Sequence, residues 1–307
     1  EEVVVVAYGT QTKQSIVGSV GVVSDAVIET QQVTSPLRAI QGAVPGVNLL
    51  TAGGQPGNNP VIRIRGFGSL NASQDPLIVV DGAAFNGNLN TISQDQIESI
   101  SVLKDASSTA LYGSRGANGV ILITTKKGYK DSAPKITFRS QIGISNPTVG
   151  LHDLVEPEDY LKLNWEAIKN TNQYENGQTA SVAAQNATNQ LIDYVGYNPF
   201  SVSNPIDANG NLVPGANLLW NTDWEDVLLR DDVLRVNHNV SLSGGDSKST
   251  YFMSLDYLNE DGPVIRSGFE RISSRLNLES QVTDWLKVGL RTSFSRSNSG
   301  NPDQTSG

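Results

Sequence analysis

Cysteine is missing from all 307 residues, which excludes disulfide bonds and thiolate metal sites. Only two histidines are present, His152 and His238. They stand far apart in unlike surroundings, so the sequence offers no histidine metal centre and no catalytic triad. Charged residues make up 17% and the net charge is −9, which argues against a nucleic-acid partner held by phosphate neutralisation. Carboxylates are plentiful, yet none stands in a recognisable acid–base pair, which disfavours an enzyme. No run approaches the roughly 18 consecutive apolar residues of a membrane-spanning helix. Spanning strands stay open, because their alternation keeps mean hydropathy low; here it is −0.24. No basic leader precedes the opening "EEVVVV", so an exported protein would stand here in processed or truncated form.

Glycine (29) and proline (13) are abundant, and the length suffices for two domains. The opening "EEVVVVAYG" joins two acids to a β-branched run and reads as extended; taken alone it is an ordinary first strand. "SPLRAIQGAVPGVNLL" predicts a short helix with Ser35 at the N-cap, Pro36 at the first position, and Gly42 and Pro45 ending it. "TAGGQPGNNP" is a loop by composition. In "VIRIRG", Ile62 and Ile64 alternate with Arg63 and Arg65 as in a strand. A polar loop follows, then strands "PLIVVDG" and "IESISVLKD", a short helix "ASSTALYG" capped by Asp105, and a strand "NGVILITTKKG". Up to about Lys127 the pattern predicts a small α/β unit. Gly113, Gly116 and Gly119 are expected to permit tight turns and close backbone approach.

After Asp131 the texture changes to long two-faced strands. "KITFRSQIG" sets Ile136, Phe138 and Ile142 against Thr137, Arg139 and Gln141. "RVNHNVSLSGG" sets Val236, Val240 and Leu242 against Asn237, Asn239 and Ser241; "STYFMSLDYL" sets Met253 and Leu255 against Ser254 and Asp256. "ERISSRLNLES" sets Ile272, Leu276 and Leu278 against Arg271, Arg275, Asn277 and Glu279; "WLKVGLRTSFSRS" sets Val288, Leu290 and Phe294 against Lys287, Arg291 and Ser293. Strands of about ten residues with one apolar and one wet face, joined by alternately short and long connections, are the repeat of an outer-membrane barrel. Tyr251, Tyr257 and Trp285 stand near strand ends, where interfacial aromatics belong. His238 and Arg296 fall on the apolar face and fit less well. The longest connection, about residues 147–233, carries helical pieces ("EPEDYLKLNWEAIKN", "TDWEDVLLR") and is strongly acidic. Its "DANGN" shares part of a calcium-loop pattern but lacks the distal glutamate and reads as a turn, so no metal site is expected.

"IRIRGFGSLNASQDPLIVVDG" followed by "IESISVLKDASSTALYGSRGANGVILITTKKG" closely resembles the plug domain of TonB-dependent outer-membrane transporters of the SusC/RagA type. "LRAIQGAVPGV" and "EEVVVVAYGT" stand in the order that branch has them. The resemblance implies an α+β plug domain followed by antiparallel transmembrane β-barrel strands, the N-terminal part of a 22-stranded barrel. Its implied domains are a TonB box and linker (1–12), a plug (13–130) and the first wall strands (131–307), with a long extracellular loop at about 147–233. Five strands cannot close such a barrel, so a longer chain is expected. The extra N-terminal domain that many relatives carry before the box is not in this sequence.

By the same resemblance the TonB box would be Glu2, Val3, Val4, Val5, Val6, Ala7, Tyr8 and Gly9, pairing with a sheet edge of TonB by strand addition. Arg63, Arg65 and Arg115 are candidates to latch the plug on wall carboxylates such as Asp256 or Glu279; salt bridges internal to the plug are the equal alternative. Plug loops with Asn58, Asn71, Gln74, Asp75, Phe85 and Asn86 would face the substrate. The implied activity is active import of an oligosaccharide or peptide, with no cofactor and with energy from the proton-motive force through TonB. The implied partners are TonB, a SusD-like surface lipoprotein in a dimer of transporter–lipoprotein pairs, and outer-membrane lipid of a Gram-negative bacterium of the Bacteroidota. The competing reading is a secreted, soluble β-rich glycan-binding protein, which would bury the apolar strand faces in a sandwich core.

Overall fold

The computed structural model describes residues 3–6, 9–12, 20–31, 33–51, 53–64, 66, 74–146 and 154–301. They fall into two compact units, residues 1–147 with 229–307, and residues 148–228.

The first unit opens with strand β1 (Val3–Val6) paired antiparallel to β2 (Gly9–Thr12). A five-stranded sheet follows in the order β3-β8-β9-β6-β7. Its members are β3 (Val20–Ser24), β6 (Leu77–Val80), β7 (Ala83–Ala84), β8 (Ile97–Leu103) and β9 (Val120–Thr125). Helix α1 (Asp25–Thr30) leaves β3 directly, and α2 (Ala106–Thr109) lies between β8 and β9. β4 (Val47–Leu50) and β5 (Val61–Ile64) form a separate antiparallel pair.

β9 runs parallel to β6 and is buried on both faces, as a covered mixed sheet requires. Ile121 and Ile123 enter a core with Ile28, Leu37, Ile40, Ile62, Ile97 and Ile100. Val120 and Leu122 enter a second cluster with Leu77, Val79 and Leu103 on the opposite face. The hairpin β6–β7 turns on Asp81 and Gly82, both at positive φ, the two-residue turn that an Asp-Gly pair favours. Gly119 has φ 93°, and a Cβ there would stand 2.8 Å from Ile64 Cδ1. The expected helix at 36–40 is a 3-10 turn; Ser35 holds the N-cap position, but its hydroxyl makes no capping bond.

Five long strands form a second sheet, an antiparallel meander β10 (Ser132–Ser145), β11 (Val233–Gly245), β12 (Ser249–Asp261), β13 (Gly268–Gln281) and β14 (Lys287–Gly300). The β11–β12 turn is closed by Asp246, whose carboxylate accepts the Lys248 and Ser249 amides at 2.8 and 2.6 Å. Those bonds hold its carboxyl below the usual carboxylate range. One face of the sheet carries Phe252, Asp256, Arg271, Arg275 and Asn277, all buried; the other is apolar and open, with Ile136 74%, Leu255 58% and Leu290 52% exposed. A sandwich core would have buried those three side chains. His238, on the open face, is bonded through Nδ1 to Ser140 Oγ across the β10–β11 pair at 3.0 Å, which satisfies its polar edge there.

Between β9 and β10 the chain crosses from one sheet to the other in six residues. Gly128 packs main chain on main chain: a Cβ would stand 2.3 Å from the Gly244 carbonyl oxygen. Asp131 N donates to Asp246 O at 3.2 Å.

The second unit has its own core. Helix α3 (Pro157–Asn170) presents Leu161, Trp165 and Ile168, and α4 (Ala180–Val195) presents Ala184, Ala187 and Leu191, joined by Phe200 and Ile206. A short α5 (Trp224–Leu228) ends it. "DANGN" is a turn in which Asp207 Oδ1 accepts the amides of Asn209 and Asn211. Among the described residues no cluster of acids or histidines has the arrangement of a metal site.

Candidate functional site

The wet face of the long-strand sheet lies against the N-terminal layer, and the seam between them is built from side chains on alternate strand positions. On β13, Arg271 (2% exposed) donates through Nη1 to the carbonyls of Asn90 (2.8 Å) and Ile92 (3.3 Å). Its Nη2 pairs with Asp256 Oδ1 at 2.9 Å, a carboxylate with no exposure. Two residues beyond Ser273, Arg275 donates through Nε to Gln96 Oε1 at 3.3 Å and stands 3.5 Å from Asp81 Oδ2. Asn277 Nδ2 donates to Thr125 Oγ1 (3.1 Å) and to the Lys126 carbonyl (2.7 Å). Residues 271, 275 and 277 face the same way because the side-chain period of a strand is two.

β10 and β11 add a second cluster. Arg139 pairs with Asp95 Oδ1 at 2.6 Å and with Glu29 on α1; Glu29 also meets Lys126 Nζ at 2.5 Å. Asn237 Nδ2 donates to the other oxygen of Asp95 at 3.1 Å. Burial pushes the Glu29 carboxyl up, but the hydrogen bonds and charges of Arg139 and Lys126 outweigh it and hold the group below the ordinary range. Glu260 accepts from Thr34 and pairs with Arg235 at 3.4 Å, and Arg235 also donates to the Val33 carbonyl.

The arginines expected to latch the layer make other bonds. Arg63 pairs with Asp75 at 3.1 Å, the internal salt bridge of the alternative, and Arg115 donates a hydrogen bond to Asn86 Oδ1 at 3.0 Å; the two bonds tie two of the expected ligand loops. Asp256 and Glu279 do not receive them. Asp256 is held by Arg271, and Glu279 by Lys287 at 2.7 Å, each from a diagonal position on the neighbouring wall strand. Arg65 and Asn71 lie outside the described residues, as do Glu2, Ala7 and Tyr8. Val3 to Val6 are extended as expected and are bonded along one edge to β2, which begins at Gly9. Asn58 is exposed, Gln74 is half-buried, and Phe85 packs partly into the first core.

The wall residues that make the seam were not picked out as bonding groups from sequence, although the alternation put Arg139, Asn237, Arg271, Arg275 and Asn277 on the wet face. Their partners are largely main-chain carbonyls and short polar side chains of loops 88–96 and 125–126, and nothing in a linear pattern announces those.

The chain that builds this polar seam has matches among known proteins. Residues 12–120 match the TonB-dependent Receptor Plug Domain family. TonB-dependent receptor P26 of Formosa agariphila is 36% identical over 298 residues, covering 96% of this chain and 26% of the relative. TonB-dependent receptor SusC of Bacteroides thetaiotaomicron is 33% identical over 303 residues, again 96% and 26%. In solved structures, the RagAB peptide importer in its closed-closed state matches with TM-score 0.73 at 31% identity, over 94% of this chain and 32% of that one. The chain therefore spans about a quarter of the length of the curated relatives it matches. It belongs with the TonB-dependent receptors, as a plug domain followed by the first strands of the wall. Within them it is of the SusC/RagA type.

Proposed function

We propose that the chain is the gate of an active importer in the outer membrane of a Gram-negative bacterium, with the plug seated in the lumen by the wall arginines. The observation that carries this reading is the asymmetry of the wall. Its plug side is a buried polar seam around Arg271, Arg275 and Asn277, while its far side exposes Ile136, Leu255 and Leu290, as a lipid-facing surface must. Residues 2–9 are the handle. In β1 the main chain is already extended, and among the described residues only one of its edges is paired, which leaves the other for a strand of TonB. Energy comes from the proton-motive force through TonB, with no cofactor. A SusD-like surface lipoprotein closes over the cargo, in a dimer of such pairs, and the cargo is an oligosaccharide or a peptide. Asn58, Asn71, Gln74, Asp75, Phe85 and Asn86 border the cargo side of the plug.

The test is uptake by the full-length transporter after deletion of residues 2–9. Loss of uptake with normal surface levels is expected; unimpaired uptake would overturn the assignment of the handle.

A further inference from the structure

The second unit carries charge and aromatic rings in a combination that the gate does not use. Residues 148–228 hold eleven acids, two lysines and no arginine, a surplus of nine negative charges; the rest of the chain balances twenty acids with twenty bases. The whole net charge of the protein therefore sits on this unit. Both lysines are already engaged. Lys162 pairs with Glu158, and Lys169 stands over the Trp165 ring at 5.1 Å.

On the same unit three aromatic side chains from separate segments form a row. Tyr160 of α3 and Tyr197, just after the α4 C-cap, have ring centroids 6.1 Å apart at 22°. Tyr197 and Trp220 are 5.8 Å apart at 37°. The Trp220 segment is fixed by the Leu219 amide on the Pro199 carbonyl at 2.8 Å, and Asn221 Nδ2 donates to Glu156 Oε2 at 3.1 Å. The three rings are 40%, 40% and 50% exposed and lie outside the unit's core. Glu156 and Asp159 flank Tyr160 in sequence at the start of α3.

Aromatic faces attract guanidinium and ammonium groups, and uncompensated carboxylates do the same over a longer range. A neutral sugar would stack on the rings but draw nothing from the charge. We propose that this row is a binding site for a cationic peptide, whose lysine or arginine side chains lie across Tyr160, Tyr197 and Trp220 with Glu156 and Asp159 as counter-charges. Naming that peptide as cargo rests on the import reading; the binding does not.

The test uses the purified full-length transporter without TonB, so that binding and import are read separately. Fluorescent peptides containing lysine or arginine, their glutamine counterparts and neutral oligosaccharides are titrated against the native protein and the variants Tyr197→Ala, Trp220→Ala and Asp159→Asn. The basic peptides are expected to bind, to weaken as salt rises, and to lose about five- to thirty-fold in affinity on Trp220→Ala. Asp159→Asn, which leaves every ring in place, is expected to reduce affinity and its salt dependence. Equal binding of the glutamine peptides, no loss on Trp220→Ala, or a neutral oligosaccharide occupying the row would overturn the proposal. Intact peptide binding with failed uptake would count against import alone.

Discussion

Arg271 has three partners and almost no water. Its guanidinium serves Asp256 and two carbonyls of the plug, so truncation strands a buried carboxylate. Arg271→Ala is expected to cost about 3–5 kcal/mol, read as a lowered midpoint of chemical unfolding. The double replacement Arg271→Met with Asp256→Leu should lose far less, because it removes both charges together. Glu29 provides a pH signature. Its folded pKa lies below the usual 4.5, so its ion pairs stabilise the seam fully above that value and are lost as pH falls through the folded pKa. Thermal midpoints of the native protein should therefore drop on acidification below 4.5, and Glu29→Gln should flatten that part of the curve. A native profile that stays level there would show that Glu29 carries no such linkage.

Elements differ in how much of them a sequence displays. The wall strands were legible because hydropathy alternates with a period of two, and on β11, β12 and β13 the expected wet face is the buried one, while that of β10 is half-buried and that of β14 is exposed. The "PLIVVDG" strand and the α3 helix were equally open to reading. Helix α4 was not, and the reason lies in its buried face. Ala183, Ala184, Ala187 and Thr188 fill it, with Leu191 the one large side chain, so its apolar stripe is weak in hydropathy although close-packed. Thr188 accepts the Trp165 indole N–H at 3.0 Å, fully buried. Thr188→Val keeps the shape and removes the acceptor. It should destabilise this unit by about 1–3 kcal/mol, read from tryptophan fluorescence on heating. The choice between wall and internal partners for the plug arginines was left open for a related reason: charge alone suggests partners, whereas register decides them, and register gives Asp256 and Glu279 to their neighbours on the wall.

At the scale of the molecule, the family motif made the plug readable, the alternation made the wall readable and the acids of the 147–233 connection were plain, but the ring row was not, because Tyr160, Tyr197 and Trp220 come from separate segments. The open apolar face makes the clearest whole-molecule prediction. Leu255→Arg in the full-length protein should cost about 2–4 kcal/mol of stability in bilayer or detergent if that position sits near the midplane, and Asp256→Asn on the opposite face should fail in a different way, by loosening the plug. Urea titrations of the folded barrel separate the two, the first by wall unfolding and the second by earlier protease cleavage of the plug. An unaffected Leu255→Arg variant in lipid would argue against a membrane-embedded wall.

The six-residue crossing at Gly128 bears on how the proposed gate would reseal. Asn277 grips the Lys126 carbonyl, Gly128 lies against the β11–β12 turn and Asp131 bonds to Asp246, so the plug stays moored at its carboxyl end whatever happens at its amino end. A short mooring keeps the displaced part at millimolar effective concentration relative to its own seat. On the proposed gating role, return would be a unimolecular event, independent of how many transporters the membrane holds, and the lumen would close without any search for a partner.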